Sequence, residues 1–117
     1  MYRIIMGCTE IMKLITKEVE QRLEKYPLYS QDGKGFDSEV VVKFFYGPAT
    51  WYVTEGEKQD DGSWLFFGYV TGLAFDEWGY FTSSELESVS EIAVTGVERD
   101  LWYKGGKTLS EMRSGGH

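Results

Sequence analysis

Ile15, Val19, Leu23 and Tyr26 recur at helical spacing, which places apolar side chains along one face of a helix. Thr16 stands where a capping hydroxyl is wanted, and Pro27 closes the pattern. The spacing predicts a helix over about residues 14–26, packed by its apolar face on a sheet. Glu18 and Arg22 lie on its exposed side as a helical ion pair worth about 0.3 kcal/mol.

Beyond residue 37 the pattern changes. Val40–Tyr46, Trp51–Glu55, Trp64–Val70 and Gly79–Thr82 are runs of β-branched and aromatic residues. Gly47-Pro48 is a turn signal, and the polar stretch Gly56–Ser63 contains a second at Asp61-Gly62. Such short connections favour antiparallel neighbours over crossovers. In the third run Trp64, Phe66 and Val70 point one way, and Leu65, Phe67 and Tyr69 the other. Both faces are apolar, so this strand is either sandwiched or exposes aromatic surface. Residues 28–37, with Gly33 and Gly35, read as a loop too short to cradle a phosphate.

Thr82-Ser83-Ser84-Glu85-Leu86-Glu87 holds two overlapping capping boxes, Thr82 with Glu85 and Ser84 with Glu87. A short helix is predicted near residues 83–90, and Thr108–Glu111 repeats the signature for a final turn. Arg99–Tyr103 is a candidate fifth strand. The fold class is α+β: an N-terminal helix packed on a four- to five-stranded, mostly antiparallel meander sheet, with a short capped helix. Residues 1–11 read as an extension, 12–112 as a single domain, and 113–117 as a polar tail.

Charge sharpens this picture. The net charge is −7. Residues 1–37 balance six acids with six bases, whereas residues 38–117 hold thirteen acids and six bases. No Lys or Arg occurs from Gln59 to Glu98. A surface of this kind repels a phosphate backbone, so direct binding of nucleic acid is not expected. No apolar run reaches the roughly 18 residues of a membrane span. Cys8 is the only cysteine. Together these make a cytoplasmic protein the expectation.

Catalytic constellations fail by absence. His117 is the sole histidine, which removes histidine-dependent triads and two-histidine zinc sites. Glu55, Glu57, Asp60 and Asp61 offer hard oxygen ligands, but their spacing is not that of a calcium-binding loop, and they read as solvated acids. No metal, cofactor or catalytic residue is expected. Glu98-Arg99-Asp100 is the most distinctive polar cluster, readable as an ion-pair tie to the sheet or as an anion or carboxylate site. Of the nineteen aromatic residues, fifteen fall between Phe44 and Tyr103, more than one small core needs. Trp51, Tyr52, Trp64, Phe67, Tyr69, Trp78 and Tyr80 are candidates for a partner surface, rimmed by Glu55, Asp76 and Glu77.

Several ordered phrases carry a family resemblance. They are Lys43-Phe-Phe, Trp51-Tyr-Val-Thr-Glu-Gly56, Trp64-Leu-Phe-Phe-Gly68, Gly79-Tyr-Phe-Thr82, Glu85-Leu-Glu87 and Glu98-Arg-Asp-Leu101. Over about residues 12–112 the chain resembles the bacterial domain of unknown function 2958, a family frequent on plasmids, phages and other mobile elements. The chain differs in residues 1–11, in its short link Tyr46–Thr50 and in Ile92–Val97. The resemblance implies a mobile-element setting and brings no activity or catalytic residues. The expected function is a non-enzymatic interaction module with a protein partner of basic character, or one that associates with itself through a sheet face. The alternative is a small-ligand binder or carboxylate-based enzyme using Glu98, Arg99 and Asp100.

Overall fold

The computed structural model describes residues 14–92 and 96–114. The expected extension over residues 1–11 lies outside the described residues, as do residues 115–117 of the expected tail.

Helix α1 spans Lys17–Leu23. Thr16 caps it by accepting the Val19 N–H at 3.2 Å, and Glu18 and Arg22 pair at 3.6 Å. The helix stops before Tyr26 because the chain tightens: the Lys25 and Tyr26 N–H groups bond to the Arg22 and Leu23 carbonyls. Pro27 disfavours helical backbone at Tyr26, and the Tyr26 carbonyl instead accepts the Gly56 N–H from the sheet.

The strands are β1 (Glu39–Val40), β2 (Val42–Tyr46), β3 (Ala49–Lys58), β4 (Trp64–Thr71), β5 (Glu77–Thr82), β6 (Glu98–Arg99) and β7 (Lys107–Thr108). A five-stranded sheet runs β5-β4-β3-β2-β6, with every pairing antiparallel. The meander is as expected, and the fifth strand is two residues long and begins one residue earlier than Arg99. The ribbon β1–β7 is separate and has no sequence signature, being only two residues wide. Strand β3 continues through Gly56 and Glu57 to Lys58, so these residues pair with Phe66, Leu65 and Trp64 rather than forming a loop.

Helix α2 covers Ser83–Ile92 and α3 Leu109–Ser114. The Thr82–Glu85 and Thr108–Glu111 boxes both form, each with two reciprocal bonds of 2.8–3.1 Å. Ser83, which belongs to neither expected box, turns its hydroxyl back to accept the Trp64 N–H at 2.9 Å. Helix α3 takes in Arg113 and Ser114.

The sheet has a core on each side. On one face Trp51, Val53, Trp64, Phe66 and Phe81 pack with Val19 and Leu23 of α1 and Leu86 of α2. On the other, Tyr52 packs with Val40, Leu109 and Met112, and Tyr69 and Trp78 lean against them. Gly68 marks where the strands come closest: a Cβ there would sit 2.0 Å from the Tyr52 carbonyl oxygen. Among the described residues, no helix is long and apolar enough to cross a membrane.

Candidate functional site

Strand alternation would put Glu55 on the same face as Trp51 and Val53, inside the main core. A bulge between Val53 and Glu55 prevents this. Thr54 is the extra residue, and its hydroxyl donates to the Phe67 carbonyl at 3.1 Å. Val53 therefore pairs with Gly68 and Glu55 with Phe67, which moves the Glu55 carboxylate to the second face.

There it meets the 28–37 loop. Glu55 is 2% exposed, and its two oxygens accept the backbone N–H groups of Tyr29 and Gln31, each at 2.8 Å. Charge-assisted bonds of this kind satisfy a buried carboxylate. The Gln31 side chain bridges two strands. Its amide donates to the Glu39 and Thr54 carbonyls and accepts the Glu39 N–H, all at 2.8 Å. Tyr29 holds a φ of 75°, a left-handed conformation costly for a side-chain-bearing residue, on the order of 1–3 kcal/mol. Its bond to Glu55 helps offset that cost.

The anchored loop lays Phe36 against Tyr69 and Trp78, with ring centroids 5.0 and 6.0 Å apart. Trp78 meets Tyr69 at 5.3 Å and stacks on Phe67 at 5.6 Å, and Phe67 meets Tyr80 at 5.0 Å. The result is a continuous ladder, Phe36–Tyr69–Trp78–Phe67–Tyr80. Phe36 and Tyr80 stay 43% and 53% exposed at its ends. The Tyr80 phenol is raised above its ordinary value, first by its hydrogen bond with Tyr29.

Between loop and sheet lies a cleft of about 370 Å³, lined by Gln31, Asp32, Ser38, Thr54, Glu55, Phe67 and Trp78 among others. Its charged lining residues are both acids, Asp32 and Glu55. A second cleft of about 380 Å³ is mostly apolar, with Trp51, Val70, Leu73, Phe75 and Phe81 in its wall. Trp78 lines both. One cation already lies on the ladder: the Arg113 guanidinium is 5.7 Å from the Tyr69 ring centre and 3.9 Å from Asp76.

The expected site residues separate by face. Trp51 and Trp64 are buried in the main core, and Tyr52 in the second. Phe67, Tyr69, Trp78 and Tyr80 come together on the ladder. Glu55 is a buried anchor beneath them, Asp76 pairs with Arg113, and Glu77 pairs in register with Val70 on the opposite face.

Glu98, Arg99 and Asp100 do not converge. Neighbours on a strand alternate, so Arg99 lies beside Phe44 and Glu98 beside Phe45, on opposite faces. Arg99 donates to the Leu14 carbonyl at 3.2 Å. Burial first, and then the charge of Arg22, hold its guanidinium below the ordinary range. Asp100 pairs with Lys43 at 3.7 Å. Among the described residues, no three His, Cys, Asp or Glu side chains are grouped to hold a metal ion.

Sequence reasoning missed Tyr29, Gln31, Asp32 and Phe36. The available signal was Phe36, a lone aromatic in a polar, glycine-containing loop. It also missed Trp102, which is 94% exposed beside half-exposed Leu101.

The fold and site define a small α+β protein whose antiparallel sheet presents an aromatic face backed by a buried carboxylate. The chain belongs to the family described as Protein of unknown function (DUF2958), which it matches over residues 14–114. No curated protein and no solved structure matches it.

Proposed function

We propose that this protein is a non-enzymatic interaction module that binds a cationic segment of a partner protein on the ladder of β4 and β5. The observation that carries this reading is the ladder together with its adjoining cleft, whose charged lining residues, among those described, are the acids Asp32 and Glu55. Aromatic faces attract Arg and Lys through their quadrupole, and nearby carboxylates add Coulombic attraction. Arg113 over Tyr69 is an example within the chain. A second copy of a chain with net charge −7 is a poorer fit, because like charges repel. A basic nucleic-acid-binding protein is the partner class this surface suits, in keeping with the mobile-element setting that the family resemblance implies.

The test is fluorescence anisotropy of labelled Arg/Lys-rich peptides against acidic peptides of the same length. The basic peptides are expected to bind, and binding is expected to weaken with salt. The exposed double variant Asp32→Asn, Tyr80→Ser should weaken it about tenfold, at roughly 0.5–1 kcal/mol per contact. Equal binding of both peptide classes, or an unaffected variant, would sink the proposal. Light scattering that showed a stable dimer, lost in the same variant, would give the face to self-association instead.

A further inference from the structure

A second polar site lies away from the aromatic face. Arg22, Lys25 and Lys104 line a cavity of about 170 Å³ between the end of α1 and the start of the β1–β7 ribbon. Among the described residues, the only carboxylate in its lining is Glu39, which is engaged by the Tyr26 hydroxyl at 2.7 Å. Three cations gather here beside two acids, Glu39 and the Glu18 partner of Arg22, in a chain whose net charge is −7.

Arg22 is the pivot. Its Nη1 lies 3.6 Å from the exposed Glu18 carboxylate. Its Nε is fully buried and, among the described residues, meets no acceptor. At this end of the helix the Arg22 and Leu23 carbonyls accept the Lys25 and Tyr26 N–H groups. Gly105 completes the wall. A Cβ there would make ordinary contact with the Arg22 Cδ at 3.6 Å, and it is the φ of 97° that suits glycine. Gly106 leaves open space beside it. The crowding of positive charge reaches Arg99, whose proton is loosened by burial and by Arg22.

We infer that this cavity is a binding site for a phosphate-type oxyanion. A planar guanidinium supplies directed donors, and two flexible ammonium groups supply charge. The three cations outnumber the two carboxylates beside them, Glu39 in the lining and Glu18 on Arg22, which favours an anion. This site is independent of the aromatic face.

The experiment is an NMR titration of the full chain at constant ionic strength, following the Gly105 and Gly106 amides. Inorganic phosphate, phenyl phosphate and acetate are the probes, with chloride as the balancing salt. Saturable shifts with either phosphate, and binding about tenfold weaker for acetate, are expected. Equal affinity for the two phosphates identifies free phosphate as the ligand, and tighter phenyl phosphate identifies a phosphomonoester; both support the site. Lys25→Gln with Lys104→Gln changes exposed residues only, so the fold should hold while affinity falls about tenfold. Arg22→Gln should abolish binding. Acetate binding as tightly as phosphate, shifts that stay linear as with chloride, or a folded double-lysine variant with unchanged affinity would each overturn the assignment.

Discussion

Glu55 has both oxygens taken by the Tyr29 and Gln31 amides, so its charge is structural before it is anything else. Glu55→Gln keeps the shape but turns an NH₂ group toward one of those N–H donors. The variant should lose about 1–3 kcal/mol of unfolding free energy, read from denaturant midpoints. Glu57→Gln, two residues along on the exposed part of β3, should stay within about 0.5 kcal/mol. If the two variants proved equally mild, the carboxylate would not be what fastens the loop. Phe36 and Asp32 depend on that fastening for their place beside the sheet.

At the level of elements, the ribbon β1–β7 leans on one phenol. The Tyr103 hydroxyl donates to the Val40 carbonyl and accepts the Lys107 N–H at 3.1 Å. Burial pushes this phenol above its ordinary value, and the Tyr26 phenol is raised by its bond to Glu39. For each, the folded-state value lies above the unfolded one. Their contribution is therefore complete below pH about 10 and is lost as pH climbs through the folded values. Unfolding free energy measured against pH should be flat near neutrality in this respect and fall in the alkaline range. Tyr103→Phe should cost about 1 kcal/mol at neutral pH and soften the alkaline fall. An unchanged alkaline limb would remove Tyr103 from this role.

These elements also show what a sequence reveals. The Thr82–Glu85 and Thr108–Glu111 caps were legible because both partners lie within one turn. The meander was legible because hairpin partners are neighbours along the chain. The ribbon was not, since Glu39 and Val40 find Thr108 and Lys107 from far away over two residues. The bulge at Thr54 was not legible either. Alternation carries no mark of an inserted residue, and Glu55 therefore read as a rim acid rather than a buried anchor. On the aromatic face, alternation put Phe67 and Tyr69 together, Trp78 and Tyr80 were named by residue type alone beside Trp51, Tyr52 and Trp64 of the cores, and Asp32 and Phe36 were brought there by the loop.

Across the whole molecule, charge is sorted more sharply than the net value suggests. The base-free stretch from Gln59 to Glu98 contains α2 and the strands β4 and β5, which carry most of the aromatic ladder. The cation-lined cavity draws on residues 22, 25 and 104, which only the fold brings together. A count of charges along the chain could show the first and not the second.

The strand order also bears on how the chain reaches this structure. Strands β2 to β5 pair strictly with their neighbours in sequence, while β6 returns to β2 and β7 to β1 over long stretches of chain. Local pairings close small loops and form early, and distant ones must first overcome a larger loss of chain freedom. The meander should therefore be built in the rate-limiting barrier, with α3 docking afterwards. Leu109, the fully buried first residue of α3, reports on that last step. Leu109→Ala should cost about 2–5 kcal/mol, and stopped-flow measurements should find nearly all of it as faster unfolding. A comparable slowing of refolding would mean that the C-terminal helix is part of the nucleus.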